Sequence, residues 1–250
     1  MPVRKIDITV VLNTHDEGML AHPTVLSLQR AKLQAERQGL TVEVLVVQDK
    51  PSPETLEYFS ECKMLDFTTL PVSFGDLGLS RNAGTQAAKG NWIAFLDADD
   101  LWGLNWLTAC HRAATGEARE VVWHPEANQY FPLDPYIYVH VDMEDPAFDL
   151  LTLTTNNYWT ALSFAKRELY LSHPYPPTLL EKHLGYEDWS WNTHTISRGV
   201  LHKVVPGTVH FVRQKPVSLV RQVANRSSLM YPTLLFKKFM DNQEKCKNIG

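Results

Sequence analysis

Cysteine is scarce in this chain: Cys62, Cys110 and Cys246 are the three in 250 residues. Odd in number, scattered and without CxxC spacing, they argue against a disulfide framework and a thiolate zinc site, and they suit a reducing compartment. Charge of one sign is also lacking. Lys plus Arg number 24 against 28 Asp plus Glu, a formal net charge of −4 with no basic run, so nothing draws the chain to nucleic acid. Long apolar runs are missing too. No stretch approaches the roughly 20 apolar residues of a membrane span, and the apolar part of MPVRKIDITVVLNTHDEG is too short for a secretory signal. A cytoplasmic protein is expected, at most peripheral to the inner face of a membrane. The sequence holds no GxGxxG, Walker A, HExxH or GxSxG motif, and no internal repeat.

What is present is a β-α rhythm. The 44% of hydrophobic residues suffice for the core of one large domain. IDITVVL (6–12), VEVLVV (42–47), LDFTTL (65–70) and NWIAFLD (91–97) read as strands, mostly apolar enough to be covered on both faces, which implies parallel pairing. Helices are expected from Pro23 to about Gln38, from Pro53 with Ser52 as N-cap, from Ser80 to Gly90, and from about Leu104 to Ala114. The second half reads as a mixed sheet with long loops: YIYVHV (136–141) and YWTALSFAK (158–166) as strands, a helix over 189–199, strand material over 202–213, and a C-terminal helix near 231–245.

Chemistry gathers where strands end: NTHDEG (13–18), QDKPSP (48–53) and DADDLW (97–102). Asp97, Asp99 and Asp100 raise one another's pKa unless something neutralises them. A hard divalent cation shared with a substrate phosphate would do so, and capping of the next helix by Asp99 or Asp100 explains the cluster equally well. The preceding Ser80 and Arg81 offer a helix N-terminus and a planar guanidinium fork, both suited to phosphate oxygens.

From ITVVLNTHDEG to DADDLW the order and spacing resemble the family-2 glycosyltransferases, inverting enzymes of GT-A fold. The resemblance implies an α/β protein with a Rossmann-like nucleotide-binding half, built on a mostly parallel sheet, and a mixed acceptor-side half. It divides the chain into a transferase domain over 1–220 (nucleotide-sugar half 1–102, acceptor and catalytic half 103–220) and a helical extension over 221–250. Thr14, Glu17 and Asp49 then fall at the nucleotide-sugar, with Arg81 at its diphosphate. Asp97 and Asp99 fall in the metal and nucleotide motif, for Mn²⁺ or Mg²⁺. HLGYEDWSW (183–191) resembles the segment that carries the catalytic base, placing it at Asp188, a residue that also reads as an N-cap. HFVRQKPVSL (210–219) resembles the family's tail segment, with Arg213 and Ser218 in register and Lys215 where a histidine is common. His210 is a third candidate metal ligand, against the simpler reading of an ordinary strand histidine. Trp102, Glu187 and Trp189 are candidates for contact with the acceptor or sugar.

The expected reaction moves a sugar from a nucleotide diphosphate to a hydroxyl of a glycan or lipid-linked acceptor, with a UDP-sugar favoured over dTDP-rhamnose or a GDP-sugar. Two other readings stay open: a phosphohydrolase of the haloacid dehalogenase type, and a non-catalytic module that binds nucleotide-sugar or glycan. The tail around Leu234 to Phe239 packs on the domain, touches a membrane surface, or leads into further domains.

Overall fold

A computed structural model describes residues 5–216 and 219–237. Ser218, Lys238, Phe239 and most of the expected C-terminal helix lie outside these residues. The chain opens with β1 (Ile8–Thr14), α1 (Ala21–Arg37), β2 (Val42–Asp49), α2 (Pro53–Glu61), β3 (Thr68–Val72), α3 (Leu77–Ala87) and β4 (Trp92–Asp97). It continues with β5 (Leu101–Trp102), α4 (Trp106–Thr115), β6 (Val121–Phe131), β7 (Tyr136–Val139), β8 (Phe164–Lys166), α5 (Arg167–Ser172), α6 (Glu187–Ser197), β9 (Leu201–Arg213) and α7 (Leu219–Asn225).

The nine described strands form one mixed sheet in the order β3-β2-β1-β4-β8-β6-β9-β5, with β7 added to β6. The first four pair in parallel, as their two-sided burial requires: every residue of β1 is buried. Pro71 sits in β3, at the sheet edge, where a missing N–H costs no ladder bond. From β8 onward antiparallel pairs enter, and β6 and β9 run parallel to each other over ten paired positions. The expected strand over 158–166 is reduced to three residues. Tyr158 and Trp159 are consecutive and both buried, packing with Leu153 and Leu235 in a cluster beyond the sheet, which strand alternation would forbid. Leu235 joins that cluster and Val223 lies against Gly185, so the described part of the tail packs on the domain.

Two helix starts matter for the site. Helix α2 begins as expected, with Ser52 Oγ accepting from Thr55 N. Helix α3 begins three residues earlier than expected, because Asp76 caps it by accepting from Leu79 N. Arg81 therefore lies in its second turn rather than at its N-terminus. Gly84 lets α3 approach the sheet closely: a Cβ there would meet Val11 Cγ1 at 2.4 Å.

Under the second half of the sheet lies a buried histidine cluster. His124 and His202 share a hydrogen bond of 2.9 Å, His202 also meets Thr195 Oγ1 at 2.9 Å, and His140 bonds the Pro125 carbonyl at 2.7 Å. Burial pushes His140 down to about 4 and His202 down to about 3, and His124 lies well below its usual value for the same reason. A histidine kept neutral by burial contributes stability above its unfolded pKa of about 6.5, and that contribution shrinks as pH falls toward the folded value. His202→Gln should therefore flatten the acid dependence of unfolding free energy between pH 6.5 and about 4, by up to about 1.4 kcal/mol per pH unit. Urea denaturation of parent and variant across that range reads the difference, and equal slopes would remove His202 as the source.

Candidate active site

The carboxyl ends of β1, β2 and β4 bring the three expected loops to one edge, as a parallel sheet does with its ligand site. The acidic run at the end of β4 is met by cations and donors of the protein itself. Arg81 Nη2 lies 3.2 and 3.0 Å from the two oxygens of Asp97, and its Nη1 lies 2.9 Å from Glu187 Oε1. Lys215 Nζ pairs with Asp99 Oδ2 at 2.6 Å. Asp100 Oδ1 accepts from Arg213 N at 2.7 Å, and Arg213 Nε donates to the Asp99 carbonyl at 3.0 Å.

Arg81 is 1% exposed, which changes its expected role: its fork is closed on Asp97 and Glu187 and does not open toward a diphosphate. Burial disfavours its charge, but Asp97 and then Glu187 more than offset this and hold the guanidinium protonated. Lys215 behaves alike, with burial opposing its charge and Asp99 raising its pKa. Asp100 is pushed well above the usual carboxyl range by burial, then by Asp99 and Asp97. Glu17 is raised chiefly by burial, with Asp99 among its electrostatic neighbours, and its Oε2 accepts from His15 N at 2.7 Å.

Thr14 and Asp49 sit at the ends of their strands with local partners. Thr14 Oγ1 donates to the Val47 carbonyl at 3.3 Å. Asp49 accepts from Gly75 N at 2.8 Å, Asp76 N at 3.0 Å and Ser80 Oγ at 2.8 Å. Burial pushes its carboxyl up, but these donors win and hold it below the usual range. Gly75 reaches this geometry with a φ of +65°, which glycine adopts without strain. Asp49 thereby organises the approach to α3.

Asp188 lies in the first turn of α6 rather than at its cap; Tyr186, in left-handed conformation, precedes the helix. Asp188 Oδ2 accepts from Asn157 Nδ2 at 3.3 Å, and Oδ1 from Trp189 N at 2.8 Å. Burial, then the neighbouring Glu187, raises its carboxyl to about 7, despite the opposing pull of Trp189 N and Arg81. Because Arg81 holds Asp97 and reaches Glu187 across 106 residues of sequence, the acidic edge and the segment holding Asp188 form one unit.

Of the remaining candidates, His210 and Trp102 fall away from this unit. His210 is fully buried against Trp106, with ring centroids 4.4 Å apart, and stacks on Trp102 at 6.2 Å. Burial and His140 push it well down, and among the described residues no three His, Cys, Asp or Glu side chains gather as a metal-holding group. The structure does not bring His210 together with Asp97 and Asp99. Trp102 is 3% exposed and packs in the core, and Glu187 is held by Arg81, so neither presents itself to an acceptor. Trp189 is half-buried, its indole N–H donating to the Leu153 carbonyl at 2.9 Å. Sequence reasoning overlooked Asn157 and Tyr130. The latter feels both Asp100 and Asp188 and stacks on Tyr136 with centroids 4.5 Å apart.

This arrangement accords with comparisons to known proteins. A family model described as glycosyl transferase family 2 matches residues 9–137, just over half of the chain. The chain belongs to glycosyl transferase family 2. Poly(ribitol-phosphate) β-N-acetylglucosaminyltransferase TarP of Staphylococcus aureus (strain N315) is 27% identical over 97 residues, covering 38% of this chain and 28% of TarP. Among solved structures, S. aureus TarS 1–349 in complex with UDP-GlcNAc aligns with a TM-score of 0.64 at 15% identity, over 86% of this chain and 61% of that one. The mannosyltransferase PcManGT of Pyrobaculum calidifontis, in complex with GDP-Man and Mn²⁺, gives 0.59 at 17% identity, over 87% and 60%. The chain shares the GT-A fold of these neighbours, and it spans about three fifths of their solved chains. Membership of the family displaces the phosphohydrolase reading.

Two variants test the charge arrangement. Arg81→Met strands Asp97 and Glu187 and should cost about 3–5 kcal/mol in urea unfolding, with part recovered by adding Glu187→Gln. Lys215→Met frees Asp99 and should tighten Mn²⁺ binding about tenfold or more, read by electron paramagnetic resonance of the free ion.

Proposed function

We propose that this glycosyltransferase moves a hexosyl or N-acetylhexosaminyl group from a nucleotide-diphosphate sugar to a hydroxyl of a glycan or lipid-linked saccharide, inverting the anomeric carbon. The observation that carries this reading is the Arg81 bridge: by holding Asp97 and Glu187 together it brings the start of α6, with Asp188, to the strand-end acidic edge, where burial and Glu187 raise the Asp188 carboxyl to about 7. A base poised near neutral pH accepts a proton more readily than an ordinary carboxylate. A UDP-sugar is favoured, in line with the UDP-GlcNAc complex of TarS, and GDP-mannose in PcManGT marks the second choice.

The donor's nucleotide lies across the loops carrying Thr14, Glu17 and Asp49, and its diphosphate lies at Asp97 and Asp99. Asp188 takes the proton of the acceptor hydroxyl as that oxygen attacks from the face opposite the leaving diphosphate. The C–O bond to the acceptor forms as the bond to the nucleotide breaks, so no enzyme-bound sugar is needed. Lys215 stands where negative charge grows on the leaving group and can turn from Asp99 toward it. The carboxylate oxygens of Asp97 and Asp99 are hard donors suited to Mg²⁺ or Mn²⁺, whereas His210, sealed behind Trp102, is not available as a third ligand. A divalent ion held there supplies Lewis-acid stabilisation of the diphosphate.

The decisive assay is a screen of nucleotide-sugars with Mn²⁺, scoring metal-dependent hydrolysis and thermal protection. Binding without any turnover would leave a non-catalytic module; no binding would sink the donor assignment. With a donor in hand, Asp188→Asn should leave its affinity near that of the parent and cut transfer more than about a hundredfold. In the parent, kcat/KM should rise with pH along an acid limb centred near 7, since only ionised Asp188 accepts the proton.

A further inference from the structure

The base is not held by its own helix alone. Asn157 follows a short 3-10 turn over Leu150–Thr154, and its side chain reaches α6 at two points. Its Nδ2 donates to Asp188 Oδ2 at 3.3 Å, while its Oδ1 accepts from Asn192 Nδ2 at 3.1 Å, one turn further along the helix. Asn192 is 1% exposed. Because its amide takes up the Asn157 oxygen, the Asn157 NH₂ is the end left for Asp188. The backbone at Asn157 is fixed as well: its carbonyl accepts from Tyr138 Oη at 3.0 Å, and Asn156 Nδ2 donates to the same hydroxyl at 3.2 Å. Tyr138 belongs to β7, the strand added to β6. A rigid chain thus runs from that hairpin through Asn157 to Asp188.

We infer that Asn157 is the positioning residue of the base: its amide, oriented by Asn192 and anchored by Tyr138, fixes Asp188 Oδ2 and favours the ionised carboxylate. The argument is one of donors and acceptors. An NH₂ group donates a stronger, charge-assisted bond to a carboxylate than to the neutral oxygen of a protonated carboxyl, so it favours the anion. Around Asp188 the other charged or titratable neighbours are Glu187 on α6, Arg81 on α3, Tyr130 on β6 and Tyr175 after α5. Burial and Glu187 push toward the acid, and Arg81 toward the anion while it is shared with Asp97. Asn157 adds a neutral donor aimed at a chosen oxygen, which the ion pairs do not supply.

The catalytic consequence rests on Asp188 being the base; the contact itself can be tested without any transfer assay. Protein labelled with ¹³C at aspartate carboxyl carbons gives a titration curve for Asp188, identified by its loss in Asp188→Asn. Asn157→Leu keeps the shape and removes the donor, and the Asp188 midpoint should rise by about one pH unit. Asn192→Leu releases the Asn157 amide without touching Asp188 and should move the midpoint in the same direction. The acid limb of kcat/KM should follow both shifts. An unchanged midpoint in Asn157→Leu with the parent's thermal melt would overturn the inference; should that variant not fold, an unchanged midpoint in Asn192→Leu does so. A shifted midpoint in a protein that transfers no sugar would strike the function proposed above and leave the positioning role standing.

Discussion

Everything at the site depends on one guanidinium shared by two carboxylates. Arg81 arrives on a helix packed against the parallel sheet, Asp97 ends a central strand, and Glu187 begins a helix in the second half. A buried cation cannot stand alone, and neither can the two anions, so the three settle each other's charge and join both halves of the domain. Such a triad is a weak source of net stability and a strong source of arrangement. Hydrophobic substitutes of equal volume would fold comfortably and would not fix where Asp188 lies.

The rest of the acidic edge follows the same logic with softer partners. Lys215 and the backbone of Arg213 come from the segment that ends β9, so the last strand of the sheet closes over the end of β4. Of the protein cations here, Lys215 is the mobile one: a flexible stem, a third of its surface exposed, and a point charge that adapts to whatever anion is nearest. Arg81 is its opposite, planar and enclosed. A fixed cation sets the frame, and an adaptable, partly exposed one covers the remaining carboxylate.

How much of this the sequence discloses depends on the range of the interaction. Apolar runs placed β1, β2 and β4 within a few residues, because two-sided burial leaves a compositional trace. Ser52 was legible as a cap, since capping is local. Asp76 was passed over in favour of Ser80, and three residues of error moved Arg81 from a helix mouth to a helix interior, which reverses what it faces. Side-chain pairings across long separations left no trace at all. Nothing in the spacing of Asn157 and Asp188, 31 residues apart, or of Lys215 and Asp99 foretells that they touch. His210 misled for a related reason: a strand places it beside Trp102, and the side to which its ring turns is decided by packing with Trp106.

The close seating of α3 has a mechanical consequence. Gly84 brings the helix onto Val11 and Val47, Arg81 ties its middle turn to two carboxylates, and Arg167 donates to the carbonyls of Thr85 and Gln86 near its C-terminal end. A helix held at its middle by Arg81 and along its C-terminal half by Gly84 and Arg167 is pinned against sliding over the sheet. The parallel part of the sheet and α3 therefore make one fixed seat for the strand-end loops around them.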